Sequence, residues 1–128
     1  MSRPLRATAR TRIRIVYGEE FAIGPGKADL LEAIAESGSI SAGARQLDMS
    51  YRRAWLLVDE MNRCFLKPVV GTATGGKGGG GAQITAFGLA ALQEFRALEQ
   101  QVRKVVDKRL PLFNRMLGSV KKPAARQR

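Results

Sequence analysis

Residues 37–65, SGSISAGARQLDMSYRRAWLLVDEMNRCF, limit the folds open to this chain more than any other stretch. Advancing about 100° per residue from Ala54 brings Leu57, Val58, Met61 and Phe65 within about 60° of it, a stripe that has to be covered. Arg52, Leu56, Asp59 and Arg63 fall on the opposite side, with Trp55 and Arg53 on the flanks. Ser50 suits the N-cap, because its hydroxyl can accept a free N–H of the first turn. Ser41 is expected to do the same for a shorter helix over residues 42–47, leaving Asp48 and Met49 as the turn. A short apolar helix, a turn, and a longer helix that opens with basic and aromatic residues form a helix-turn-helix pattern. In that motif the first residues of the second helix reach base edges in DNA. Helix pairs are also common without that role, and Arg52 and Arg53 alone form a solvated face more often than a DNA contact.

The next segment favours the DNA reading. Pro68 closes the second helix, VVGTAT over residues 69–74 is β-branched and strand-like, and residues 83–85 can pair with it. Between them GGKGGGG, residues 75–81, has almost nothing to bury and is expected to be a mobile tip. A helix-turn-helix followed at once by a hairpin is a winged helix, with Lys77 carried toward a phosphate or the minor groove. The rival reading is a phosphate-binding P-loop, which Gly71, Gly76 and Lys77 match until Gly78 replaces the magnesium-ligating Ser or Thr. A P-loop also opens a helix; here more glycines and a strand follow, so nucleotide hydrolysis is set aside.

Upstream, residues 1–11 read as a disordered basic arm, followed by a winged domain over residues 12–118. RIRIVY, residues 12–17, alternates like a strand, residues 21–23 are its partner, and residues 27–36 form a helix with Leu30, Leu31 and Ile34 on one face. A long helix runs over residues 86–110, capped by Thr85, with Leu89, Leu92, Phe95, Leu98, Val102, Val105 and Val106 recurring at threes and fours. A 14.0 kDa chain has little core for so long a stripe. Leu92, Phe95, Val102, Val105 and Val106 are therefore expected on a second subunit, although the first half could equally pack on its own chain. Pro111 is expected to end or bend this helix, with a further short helix before the basic tail over residues 119–128. The fold class is mainly α with a small β wing: a winged helix-turn-helix with a long C-terminal dimerisation helix.

Net charge is +11, of which Arg3, Arg6, Arg10, Arg12 and Arg14 supply +5 and Lys121, Lys122, Arg126 and Arg128 supply +4. Basic ends favour a polyanionic partner, though they also aid solubility. With no His and the single Cys64, His acid–base chemistry, His/Cys zinc sites and an internal disulfide are excluded. No catalytic residue, metal or cofactor is expected, and Cys64 reads as a buried structural thiol. No run is long enough for a membrane span and residues 1–14 lack a signal-peptide centre, so a cytoplasmic location is expected.

Several short motifs together resemble a known family. They are Ser37-Gly38-Ser39-Ile40-Ser41, Gly43-Ala44, Ser50-Tyr51, Ala54-Trp55, Glu60-Met61-Asn62, and the string from Ala73 to Ala82 with Thr85 and Gly88. Over roughly residues 12–108 they resemble the DNA-binding, N-terminal domain of the ModE family, molybdate-responsive bacterial transcription regulators with a LysR-like winged domain. The resemblance implies a homodimer on double-stranded DNA with a palindromic operator, usually repressing molybdate uptake genes. The family's molybdate-binding module follows its long helix. The residues after this helix are too few for one, so molybdate is not expected to bind this chain directly.

Tyr51, Arg52, Trp55 and Leu56 are the base-reading candidates: Arg52 could take guanine O6 and N7, and Leu56 a thymine methyl. Trp55 is equally compatible with half-buried packing. Arg52, Arg53, Lys77 and the arms are candidates for phosphates, with Ser39, Ser41 and Ser50 beside them at the helix starts. Asp59 is expected to pair with Arg63 at i, i+4. The alternatives are a winged-helix protein-interaction module or a nonspecific nucleic-acid binder.

Overall fold

The computed structural model of the chain describes residues 5–72 and 81–120. Among these residues, in chain order, are β1 (Ile15–Tyr17), β2 (Glu20–Ile23), α1 (Pro25–Ser37), α2 (Ile40–Gln46), α3 (Tyr51–Cys64), β3 (Val70–Thr72), β4 (Ala82–Ile84) and α4 (Ala86–Met116). The strands form two separate antiparallel pairs, β1 with β2 and β3 with β4. This is a mainly helical winged helix-turn-helix with a long C-terminal helix.

α1 is the hub. Pro25 sits at its start, where the missing N–H costs nothing, and Gly38 at φ 90° ends it by donating to Ile34 O at 2.8 Å. Ala28, Leu30, Leu31, Ala33 and Ile34 are buried and packed by α2, α3, α4, β2 and β4. Each fully buried Leu or Ile contributes about 1.5–3 kcal/mol. Ile40 and Ala44 of α2, Ala54, Val58 and Met61 of α3, Val69, Val70 and Ala82 of the wing, and Leu92 and Phe95 of α4 complete the core.

Arg96 then clasps α4 to α1, donating to Asp29 at 2.8 Å and Glu32 at 3.1 Å, and to Glu99 of its own helix at 3.0 Å. Burial works against its charge, but the hydrogen bonds it donates to Asp29, Glu99 and Glu32 outweigh that and raise its pKa above the ordinary value. The Arg96 guanidinium therefore keeps its charge.

At the base of the wing, Thr85 caps α4 by accepting Gly88 N–H at 2.9 Å and donates its hydroxyl to Pro68 O at 2.6 Å. Gly88 is there because a Cβ would overlap the Val69 carbonyl oxygen. The β3–β4 register pairs Val70 with Ile84, Gly71 with Gln83 and Thr72 with Ala82. The glycine string up to residue 80 and Lys77, like Arg3 and the tail from Lys121, lie outside the described residues.

Six expectations are corrected. α2 is capped by Ser39, not Ser41: Ser39 has the extended backbone of a cap and accepts Ala42 N–H at 3.0 Å, while Ser41 lies within the first turn. β1 is only three residues long, because the four-residue β2 ends where Gly24 and Pro25 turn into α1. Residues 5–11 are not an unattached arm. Ala7 N–H donates to Asn114 Oδ1 at 2.6 Å and Arg103 donates to Ala9 O at 2.8 Å, so the segment runs antiparallel along α4. Ala7, Ala9, Thr11 and Ile13 are half-buried, and Arg6, Arg10, Arg12 and Arg14 alternate with them on the exposed side.

Pro111 lies inside α4 without ending it; it is exposed, so water can reach the carbonyl its ring leaves without a donor. Leu92 and Phe95, expected at a subunit interface, are 6% and 3% exposed in the chain's own core. Only Val102, Val105 and Val106 of that set remain open, Val105 at 64%. Cys64 is half-buried rather than buried. No helix among the described residues is long and apolar enough to cross a membrane.

Candidate nucleic-acid interface

The turn between α2 and α3 sets the angle at which α3 is presented. Asp48 sits at φ 58°, a left-handed conformation that Asp tolerates better than most residues, and Met49 N–H closes the turn on Ala44 O at 2.9 Å. Ser50 then caps α3, accepting Arg53 N–H at 3.1 Å. Ala54, Val58 and Met61 are fully buried, with Leu57 and Phe65 packed at the margin, which fixes the helix's rotation.

What that rotation leaves exposed is the candidate reading face. Tyr51 is 53% and Leu56 55% exposed, and Arg52 and Arg53 are exposed beside them. Trp55 is half-buried and meets Tyr51 edge to face, with ring centroids 6.3 Å apart. That contact holds both rings at the lip of the face. Asp59 and Arg63 pair at 3.0 Å; at more than half exposure for each the pair contributes about 0–1 kcal/mol. Arg52 has no carboxylate within 4.0 Å among the described residues, so its guanidinium is available.

The helix starts converge less than expected. Ser39's hydroxyl is occupied by its own helix, and Ser41 accepts from Arg45 at 3.0 Å. Gly81, where the wing returns, would bring a Cβ to within 3.3 Å of Ser39, so the described end of the wing flanks α2's start.

Sequence reasoning did not single out the basic hollow on the flank of α3. Arg53 shares a cavity of about 170 Å3 with Arg12, Arg14 and Lys27. Lys27 is 1% exposed; it donates to Phe21 O, pairs with Glu60 at 3.0 Å and lies 4.0 Å from the centre of the Phe21 ring. Arg14 lies over the same ring at 4.7 Å. The alternation of Arg10, Arg12 and Arg14 was a signal for the exposed pair. Nothing local signalled Lys27, whose partners come from β2 and α3.

The comparisons with known proteins agree with this architecture. No family model matches the chain. It is 45% identical over 83 residues to the DNA-binding transcriptional dual regulator ModE of Escherichia coli (strain K12), which covers 65% of this chain and 32% of that protein. It is 43% identical over 84 residues to the molybdenum-pterin-binding protein MopB of Rhodobacter capsulatus, 66% of this chain and 31% of the relative. To the molybdenum transport protein ModE of Azotobacter vinelandii it is 37% identical over 89 residues, 70% and 33% respectively. The chain thus spans about a third of the length of the curated relatives it matches. Over the matched stretch it is similar to these ModE and Mop proteins, which is consistent with the N-terminal DNA-binding domain of the ModE family.

Proposed function

We propose that this chain is a homodimeric, sequence-specific DNA-binding transcription regulator, acting as a repressor in the bacterial cytoplasm, with no catalytic activity. The observation that carries the reading is α3. One face is locked into the core, and the other offers Tyr51, Arg52 and Leu56 with an unengaged guanidinium at the N-terminal end. That is the end that enters a major groove in this motif. The basic segment of residues 6–14, exposed on alternate residues, supplies sequence-independent attraction.

The second subunit would cover the distal part of α4, where Val105, Leu112, Phe113 and Met116 are 64%, 45%, 54% and 78% exposed. Two copies related by a two-fold axis would read a palindromic operator. One relative is named a molybdenum transport protein, which points to molybdenum transport genes as targets. Molybdate itself would not be held tightly or sensed by the described residues. A small dianion is held by converging donors in an enclosed pocket, and coupling to DNA requires a second state that the ligand recognises.

The deciding measurement is binding to duplexes selected from genomic fragments against random duplexes at several salt concentrations. A dimer that prefers the selected duplex is expected. Equal binding to both would make the chain a nonspecific binder; binding to neither would leave the protein-interaction reading.

A further inference from the structure

We propose that Arg12, Arg14 and Arg53, with the bare N-terminus of α1, form a binding site for one phosphate group. The proposal rests on the DNA-binding reading, and its occupant would be a backbone phosphate beside the recognition helix. Three independent features meet there. The first is the cavity of about 170 Å3, which all three arginines line. The second is their electrostatic state: among the described residues no carboxylate lies within 4.0 Å of any of them, whereas Arg63 and Arg96 are paired. The third is α1 itself, a 13-residue helix with Gly24 at its cap, no side-chain cap bond and no acidic residue in the first turn. Its N–H groups at Gly26 and Lys27 belong to the first turn, which has no helical acceptors to offer them. Together with the helix dipole they favour an anion.

Lys27 defines the floor rather than a ligand. Its ammonium is already engaged by Glu60 and Phe21 O, and it shares the Phe21 ring with Arg14. Arg12 and Arg14 share the exposed side of an extended segment whose other side packs inward, so both reach the same hollow. Arg53 arrives from the first turn of α3, which sets the cavity beside the reading face. Guanidinium forks and backbone N–H groups suit a tetrahedral oxyanion; with all three arginines exposed to water, a free ion would be held far more weakly than a phosphate fixed in DNA.

The test uses the full chain, the selected duplex and the variants R12A/R14A and R12A/R14A/R53A. The double variant should lose about tenfold in affinity on selected and random duplexes alike. The slope of log K against log salt should fall by about 0.9, one phosphate's worth, and R53A added to the pair should lower it no further. A scan with single neutral methylphosphonate linkages should find one position per half-site that weakens the parent but not the double variant. Inorganic phosphate at constant ionic strength, followed by the amide resonances of Gly26 and Lys27, tests the free anion. A saturable shift lost in R12A/R14A, with no coupled linkage, would assign the site to a free oxyanion. Absence of both signals, or a slope that falls by about 0.9 for each arginine separately, overturns the proposal. A parent chain that binds no duplex would overturn the regulator reading, and the phosphate titration would then decide the pocket alone.

Discussion

Asn62 and Val70 hold each other by two hydrogen bonds. Asn62 Nδ2 donates to Val70 O at 3.0 Å, and Val70 N–H donates to Asn62 Oδ1 at 3.4 Å. The same Oδ1 accepts Val69 N–H at 2.8 Å. A side chain on the last turn of α3 thus takes the place of a neighbouring strand for the start of β3, and the wing is referenced directly to α3.

Replacing Asn62 with Ala would leave those backbone groups without partners in a part-buried position. A loss of about 1–3 kcal/mol in unfolding free energy is expected from denaturant titration. Affinity for selected DNA should fall more than that for random DNA, since the wing's placement relative to α3 is what is lost. An N62A chain as stable as the parent would show that water replaces the amide there.

Gly88→Ala sets two effects against each other. Helix propensity alone predicts a gain of about 1 kcal/mol. The new Cβ would overlap the Val69 carbonyl, which is backbone and cannot rotate away, and such overpacking costs about 1–3 kcal/mol. Packing should win, with a lower thermal midpoint as the readout.

This contact marks the limit of what could be read beforehand. The Ser50 cap, the buried side of α3, the hairpin and the Thr85 cap were all legible, because each depends on residues a few positions apart. Where the long helix's apolar stripe would be covered was not. Leu92 and Phe95 repeat in the same rhythm as Val102 and Val106, and only the position of α1 decides that the first two are covered within the chain. Lys27 was illegible for the same reason, since Phe21 and Glu60 are brought to it by packing.

Arg52→Ala should cost about 1–3 kcal/mol on the best duplex if it makes a bidentate base contact, and less on random sequence. A loss of the same size on every duplex would demote Arg52 to a phosphate contact. Leu56→Ala should act likewise at a thymine position, without changing the salt slope.

Val102→Glu with Val106→Glu should give a folded monomer by sedimentation, since both positions are only half-covered in the isolated chain. Leu92→Ala should behave differently: it should lower stability by about 2–5 kcal/mol. If the Val102/Val106 double variant stays dimeric, the subunit contact lies elsewhere.

Calorimetric titration of molybdate into the purified chain, with and without the selected duplex, should give no saturable heat in the micromolar range and no change in DNA affinity, because the exposed arginine hollow would take a free dianion only at far higher concentration. A saturable signal in the micromolar range would place an oxyanion sensor in this chain.

The alternation of residues 7–14 has a consequence that composition does not carry. Inserting one glycine after Ala9 would leave every arginine in place in the count and the net charge unaltered. Yet a half-turn of the extended backbone would swing Arg10, Arg12 and Arg14 toward α4 and turn Thr11 and Ile13 to water. Inserting two would restore the pattern. What this segment carries is a phase rather than a quantity of charge, and its attraction for a polyanion should rise and fall with the parity of its length.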